Sequence, residues 1–360
     1  MGLFIIRRFG VMVLTALCLT YIVFFMTNLY PNLEKLAKTQ GNFRMTDEAV
    51  ASFLEDRGYL QSTPRKYLEW VGLAPGYLIE KEGVPLGKCV RPGMTIDDVP
   101  NYCGILQGDW GWSTVSKAPV ADVLGTRLAN TGYLMWWVMV LMVPSALIIG
   151  VLAGMREGSK LDRSLSTVSI LSTATPEYVS GVIFIVFLAS SRYGLSPWLA
   201  EMGLIEGKTL FKGTAAKAME TPTFENFFLP VLTIALYGMG YIARMTRASM
   251  AEVMTAQYIR TARLKGVNFR NVVIKHALRN ALIAPFTVIM LQVPWLLNGV
   301  VIVENLFNYK GFGWQLVNAA GNNDIDVLLA VSVVSVVVVL LTQLISDIGY
   351  VYLNPRIRIS

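Results

Sequence analysis

Six stretches of this chain are apolar for long enough to cross a lipid bilayer, and that limits its fold more than any other feature. A spanning helix needs about 20 mainly apolar residues to cover a hydrocarbon core of about 30 Å. The candidates run from about Phe9 to Tyr30, Thr131 to Ala153, Ser164 to Ser190, Phe227 to Thr246, Ala281 to Val303 and Ile325 to Tyr352. Inside lipid every backbone N–H and C=O must be satisfied within the protein. These stretches are therefore predicted to be six transmembrane helices of an all-α integral membrane protein. Composition agrees: 54% of the 360 residues are hydrophobic and 15% charged, against about 25% charged in an ordinary soluble domain. Arg7 and Arg8 precede the first stretch, as in a signal peptide. The run is too long for a signal core and no small-residue cleavage site follows it, so it reads as a retained span.

Lys and Arg gather on alternate connections. After Arg7 and Arg8 come Arg156, Lys160 and Arg163. Then come Arg244, Arg247, Arg260, Arg263, Lys265, Arg270, Lys275 and Arg279, opposed by Glu252, and finally Arg356 and Arg358. The regions from Pro31 to Asn130 and from Arg192 to Glu225 are nearly balanced. This is the positive-inside pattern, and it predicts both termini in the cytoplasm. The net charge of +7 is thereby explained as topology, with no nucleic-acid partner implied. The expected organisation is an N-terminal segment and first span (1–30), an extracytoplasmic insert (31–130), a core of five spans (131–352) with a basic loop at about 247–280, and a cytoplasmic tail (353–360).

The insert reads as mainly helical. Thr46 is a plausible N-cap, Asp47 and Glu48 follow it, and Gly58 is a stop; a second helix after Pro64 holds Tyr67, Leu68, Trp70 and Val71. The remainder, from Val71 onward, is rich in Gly and Pro and reads as loop. Cys89 and Cys103 lie there, outside the membrane, where thiols can oxidise. Both a disulfide and two free thiols fit that placement.

No catalytic or metal-binding pattern is present: there is no HExxH, no GxSxG and no Cys–His metal set. GLIEGKT at Gly203 is one residue short of a phosphate loop and falls outside the cytoplasm. With His276 as the single histidine, hydrolytic schemes lack a base. The chain reads as a transport protein with no catalytic residue, no metal and no cofactor of its own.

The basic loop carries more than charge. From Arg244 to Lys265 there is no Gly or Pro, which predicts unbroken helix. Gly266 can end it in the left-handed conformation, and Asn268 can cap a second helix. Ala262, one turn before Gly266, is small enough to let another surface approach. YIRTARLKG followed by HALRNA resembles the coupling loop of ABC-importer membrane subunits, in the version typical of the dipeptide/oligopeptide permease family. GDWGWS at Gly108 with Pro119, Arg127, Leu128 and Thr131 resembles the approach to that family's second span. VENLFNYKGFG resembles its V-E-x-x-F…P-G-x-G, with Lys310 in place of Pro. SDIGYVYLNPRIR resembles its ending, with Asn354 in place of Asp. The match covers nearly the whole chain except Val71 to Gln107.

The resemblance implies six spans in a type I ABC importer permease fold, in a bacterial inner membrane. It implies a second homologous permease, two ATP-binding cassette ATPases that hold ATP and Mg, an extracytoplasmic binding protein, and surrounding lipid. It implies that Arg260, Thr261, Ala262, Arg263, Lys265 and Gly266 form the ATPase-coupling element. The solute would be a peptide or peptide-like compound, or, within the same family, a nickel complex, an oligosaccharide or a peptide antibiotic. A stand-alone channel or secondary transporter would show paired broken helices in an inverted repeat, and none is found.

Acids inside a membrane are costly and point to function. Glu177 follows Pro176 inside the third stretch. It can line the path and meet a peptide's amino group, or pair with a polar group of the second permease. Pro176 is expected to kink that span. Gln292, Pro294, Trp295 and Asn298 interrupt the fifth stretch and can line the same path, although packing suits Trp295 as well.

Overall fold

The computed structural model describes residues 2–81, 83–90 and 94–353. They fall into two compact units. One holds the chain up to Arg127 together with Gln315–Leu340; the other holds Leu128–Trp314 together with the chain from Leu341.

The first unit begins with α1 (Gly2–Thr27), α2 (Tyr30–Gln40), α3 (Asp47–Asp56) and α4 (Thr63–Val71). Helix α3 starts where the sequence places it: the Thr46 hydroxyl accepts from the Ala49 N–H at 3.3 Å, and Gly58 beyond its end has φ 74°. Leu33, Leu36, Val50, Leu54 and Trp70 form a core with Phe24, Ile325 and Leu329. Most of α1 remains apolar and exposed, as a helix facing lipid would be.

The expectation of unbroken loop after Val71 is corrected. Strands β1 (Leu78–Lys81) and β2 (Val84–Gly87) pair antiparallel, with Leu78 opposite Gly87 and Lys81 opposite Val84. Gly83, at φ 77°, supplies the turn. Strands this short, one of them containing Pro85, carry no readable alternation. Cys89 and Cys103 are joined in a disulfide, with Cα atoms 5.6 Å apart. A second short pair, β3 (Trp112–Ser113) with β4 (Ala118–Pro119), follows.

The GDWGWS segment is tied to residues Asp324 and Asp326. Trp112 N–H donates to Asp326 Oδ2 at 3.3 Å, and Ser113 Oγ donates to Asp324 Oδ2 at 2.6 Å. A Cβ on Gly111 would fall 2.6 Å from Asp326 Oδ2, and its φ is 88°. Glycine is therefore required there on two counts.

The second unit is built from α5 (Val120–Gly154, its first turns belonging to the first unit), α6 (Lys160–Ala174), α7 (Glu177–Leu188), α8 (Leu195–Glu201), α9 (Phe224–Met254), α10 (Gln257–Leu264), α11 (Phe269–Asn271), a π-helical turn (Val272–Ala277), α12 (Leu278–Ala281) and α13 (Ile283–Leu306). Helices α14 (Phe312–Gly321) and α15 (Ile325–Leu353) complete the chain. Helix α5 starts before the Thr131 that hydropathy suggests, because the preceding residues from Val120 mix polar with apolar side chains and include no proline. Among the described residues four helices, α1, α5, α9 and α15, are long and apolar enough to cross a membrane, or up to six spans if each of two bent pairs is one span.

The bends differ from expectation. The third stretch is not kinked at Pro176 but broken there, with α6 and α7 at 106°. Thr175 is extended (φ −94°, ψ 119°), as the residue before proline tends to be, so α6 ends at Ala174. The fifth stretch is not interrupted at Pro294: backbone is helical from Ile283 to Leu306. Its bend, 52°, lies between Ala281 and Ile283.

Helix α9 is the centre of this unit. Of its most apolar window 67% is buried, against 33% for α5. Glycines permit the approach of its neighbours. A Cβ on Gly150 would lie 2.6 Å from the Ala243 carbonyl, one on Gly154 2.5 Å from that of Arg247, and one on Gly240 2.5 Å from that of Ser169. Lipid provides no hydrophobic drive between helices, so such close packing carries the association.

Past α13, the Glu304 carboxylate is fully buried. It accepts from the Thr131 hydroxyl and, at 2.9 Å, from the Trp314 N–H. A Cβ on Gly311 would sit 2.0 Å from Glu304 Oε1.

Two outcomes are expected. Glu304→Ala removes the acceptor from both donors and lowers stability by about 1–3 kcal/mol, read as a depressed unfolding midpoint in detergent, with Glu304→Gln losing less. Cys103→Ser costs the first unit about 2–4 kcal/mol; in a Cys18→Ser background, which removes the free thiol, the chain shows an alkylation gel shift only after reduction, and an identical shift without reductant contradicts the bond.

Candidate functional site: the basic helical hairpin

The segment following α9 folds into a hairpin with its own core. The predicted unbroken helix to Lys265 is corrected: α9 stops at Met254, and Ala256 is extended (φ −63°, ψ 147°) before α10 begins. No breaker residue marks this corner. It is imposed by packing, since turning back buries Ile259 and Ala262 against Val272, Val273, Ala277 and Ala281, with Met250 of α9 in the same cluster.

Gly266 ends α10 at φ 77°. Val267 N–H donates to Ala262 O at 3.2 Å and Gly266 N–H to Arg263 O at 3.0 Å, the paired bonds of a Schellman motif. Val267 packs in the core beside Ala262, which completes it. A Cβ on Gly266 meets nothing within 4 Å, so the glycine is needed for its backbone angle and not for space. The Asn268 side chain then caps the next turn, accepting from Arg270 N–H at 3.3 Å. The arm returns through the π-helical turn and α12, held by Ser249 Oγ on Ala281 O at 2.8 Å and Asn280 Nδ2 on Tyr258 Oη at 2.9 Å.

This arrangement sorts the six coupling residues read from the sequence. Ala262 is only 8% exposed and faces inward. The surface that comes close to it within this chain is the returning arm. Arg260, Thr261, Arg263, Lys265 and Gly266 are exposed. The Thr261 hydroxyl is satisfied by Gln257 O at 3.0 Å. The Arg263 guanidinium stands 5.9 Å from the Phe269 ring, with Arg156 5.4 Å from the same ring. Leu264 was missed. It is 81% exposed at the tip, next to Lys265. An apolar residue out of phase with the buried Ile259 and Ala262 was the available signal. His276 is exposed on the return arm.

Arg247 was read as a topology charge and proves to be structural. Its Nε and Nη2 donate to Asp162 Oδ1 and Oδ2 at 3.0 and 2.9 Å. Asp162 is buried, and also accepts from Gly158 N–H at 2.8 Å and Ser166 Oγ at 3.1 Å. The pair closes the α5–α6 connection onto the end of α9, just ahead of the hairpin.

The proposed path residues lie on α7 and α13. Glu177 is the half-buried first residue of α7, beside the 106° break. Gln292 is buried. Trp295 is half-buried and stacks on Tyr237 with centroids 4.5 Å apart, so packing accounts for it. The side chain of Asn298 lies outside what is described. Among the described residues no hydrogen bond or ion pair joins Glu177 to Gln292 or Trp295, and no group of His, Cys, Asp and Glu is placed to hold a metal ion.

Apolar helices packed around a buried central one, with an exposed basic hairpin between two of them, define a multi-pass membrane transport subunit. Residues 146–359 match the family model described as "Binding-protein-dependent transport system inner membrane component", and the chain belongs to that family. The probable peptide ABC transporter permease protein y4tP of Sinorhizobium fredii is 29% identical over 99% of this chain and 100% of its own length. The oligopeptide transport system permease protein AppB of Bacillus subtilis is 34% identical over 71% of this chain and 77% of its own. The glutathione transport system permease protein GsiC of Escherichia coli K12 is 33% identical over 70% and 76%.

Removing Arg247 leaves Asp162 buried without its counter-charge. Arg247→Ala is therefore expected to cost about 3–5 kcal/mol, seen as a lower unfolding midpoint and loss of protein from the membrane fraction. The double variant Arg247→Leu/Asp162→Leu should recover part of it.

Proposed function

We propose that this chain is the permease subunit of an ATP-driven importer and forms the path for peptides or peptide-like solutes. The observation that carries this reading is the hairpin. Its inward residues make it rigid by itself, and its outward residues present Leu264 ringed by Arg260, Arg263 and Lys265. An exposed leucine within a basic rim suits a groove with an apolar floor and acidic edges on a partner. In this reading the partner is one of two ATPases that bind ATP and Mg, and closure of those ATPases is passed through the hairpin to α9 and α13. A second homologous permease completes the path, an extracytoplasmic binding protein delivers the solute, and both termini lie in the cytoplasm. The peptide assignment is supported by the relatives' names: peptide, oligopeptide, and glutathione, which is itself a tripeptide. Glu177 is the residue we place on the path, at the break between α6 and α7.

The test is reconstitution of the chain with its partners in proteoliposomes. Leu264→Asp is expected to reduce ATP-dependent dipeptide uptake at least about tenfold, as loss of one buried contact of about 1.4 kcal/mol or more would, and Ala262→Glu and Gly266→Pro, which distort the hairpin that presents it, should reduce uptake as well, while insertion is kept. Gly266→Asn, which tolerates the left-handed angle, should retain most uptake. Glu177→Gln should weaken uptake with no loss of ATPase association. Full uptake in Leu264→Asp, or purification with no ATPase attached, would overturn the proposal.

A further inference from the structure

One face of α5 is apolar and exposed along the span. Tyr133, Trp136, Trp137, Val140 and Ile148 recur on it every helical turn or two, over roughly 20 Å of helix. An apolar helix face left open in this way is the surface a span shows to lipid. At the end of that face away from the basic hairpin, α5 and the start of α9 leave a groove of about 420 Å³ between them.

The groove is walled by rings. Tyr133 and Trp137 come from α5, and Phe224, Phe227 and Phe228 from α9. Tyr133 and Phe227 have ring centroids 5.3 Å apart, which fixes the two helices at matching depth. Phe224 and Phe228, 4.7 Å apart, raise the other side. Phe227 is buried, while Tyr133, Trp137 and Phe224 keep exposed edges. From Phe224 to Val231 the groove descends about 10 Å along α9, into the third of a core about 30 Å thick that lies farthest from the hairpin.

The wall decides what can fill it. Water finds no partners along apolar rings. Another helix needs small residues so that backbones can approach. The glycines that allow such approach, Gly150, Gly154 and Gly240, are used for contacts among α5, α6 and α9. A flexible run of methylenes fits between rings and regains the dispersion contacts that an empty groove lacks. The polar end of such a molecule is provided for as well. Among the described residues no protein group takes the Tyr133 hydroxyl or the Trp137 indole N–H, and rings with one polar tip favour the head-group level. The volume falls within the range of about 300–1,000 Å³ usual for ligand sites.

We propose that this groove is a lipid-binding site that holds one acyl chain of a membrane phospholipid, with the ester end at Tyr133 and Trp137. It requires that the chain span a membrane and does not depend on which solute is carried.

The experiment maps where lipid touches the protein. The full chain, with the subunits that co-purify with it, is placed in nanodiscs of phosphatidylethanolamine and phosphatidylglycerol. These are doped with a phosphatidylethanolamine bearing a diazirine in one acyl chain, and labelled residues are located by mass spectrometry after illumination. Trp136 is the internal reference: it neighbours Trp137, has the same chemistry and lies outside the groove. By exposure alone Trp136, at 66%, should label more than Trp137, at 42%. A bound chain reverses that order, so Trp137, Phe224 and Phe228 are expected to label several-fold more than Trp136. Their labelling should saturate as the probe fraction rises, while that of Trp136 keeps rising in proportion. Val140→Trp, which narrows the groove from its exposed edge, should lower labelling at Phe224 and Phe228 several-fold and leave Trp136 unchanged. The wild-type comparison decides alone should that variant fail to insert. Groove labelling no higher than that of Trp136, labelling that does not saturate, or a groove shielded from the probe by a co-purifying subunit overturns the proposal.

Discussion

Close backbone contact around α9 is the interaction on which the second unit depends. Between helices in lipid there is no water to expel, so association rests on van der Waals contact and on polar groups that find partners. Gly150 and Gly154 bring α5 onto α9, and Gly240 brings α6. At the end of the same helix the Arg247–Asp162 pair fastens the α5–α6 connection, and Met250, one turn further, already belongs to the hairpin core. Hairpin and central helix are thus one packed body. A displacement of the tip cannot be absorbed by a loose joint at Ala256, because that corner is itself part of the cluster.

How much of this was legible follows from where each feature gets its cause. The spans were legible because length and apolarity are local properties, and so was α3, whose cap and stop residues sit at its ends. Gly266 was legible because a left-handed turn leaves a residue signature. The corner at Ala256 was not, since nothing local breaks the helix there and only burial of Ile259 and Ala262 requires it. The inward turn of Ala262 and the outward one of Leu264 were hidden for the same reason. Pro176 was half legible: proline announced a disturbance, but whether the chain bends or breaks depends on what receives α7. The β1–β2 hairpin escaped because four-residue strands show no period.

The motifs that carried the family likeness turn out to be fasteners. GDWGWS closes onto Asp324 and Asp326, and the segment after α13 closes onto Glu304. Such motifs need fixed spacing because both ends of each tie are placed by long helices. The departure at Lys310 is accommodated for a visible reason. The carbonyl of that residue accepts from Asn130 Nδ2 at 3.1 Å, and a carbonyl is common to lysine and proline.

In the hairpin, the residues that hold it together and the residues it shows to its surroundings are different sets. Ile259, Ala262, Val272 and Ala277 do the first; Arg260, Leu264 and Lys265 do the second. Substitution on the outer set leaves the inner one untouched, so the surface can drift without a folding penalty. A lineage can therefore change what the hairpin shows to its surroundings by altering a few side chains on a support that stays the same.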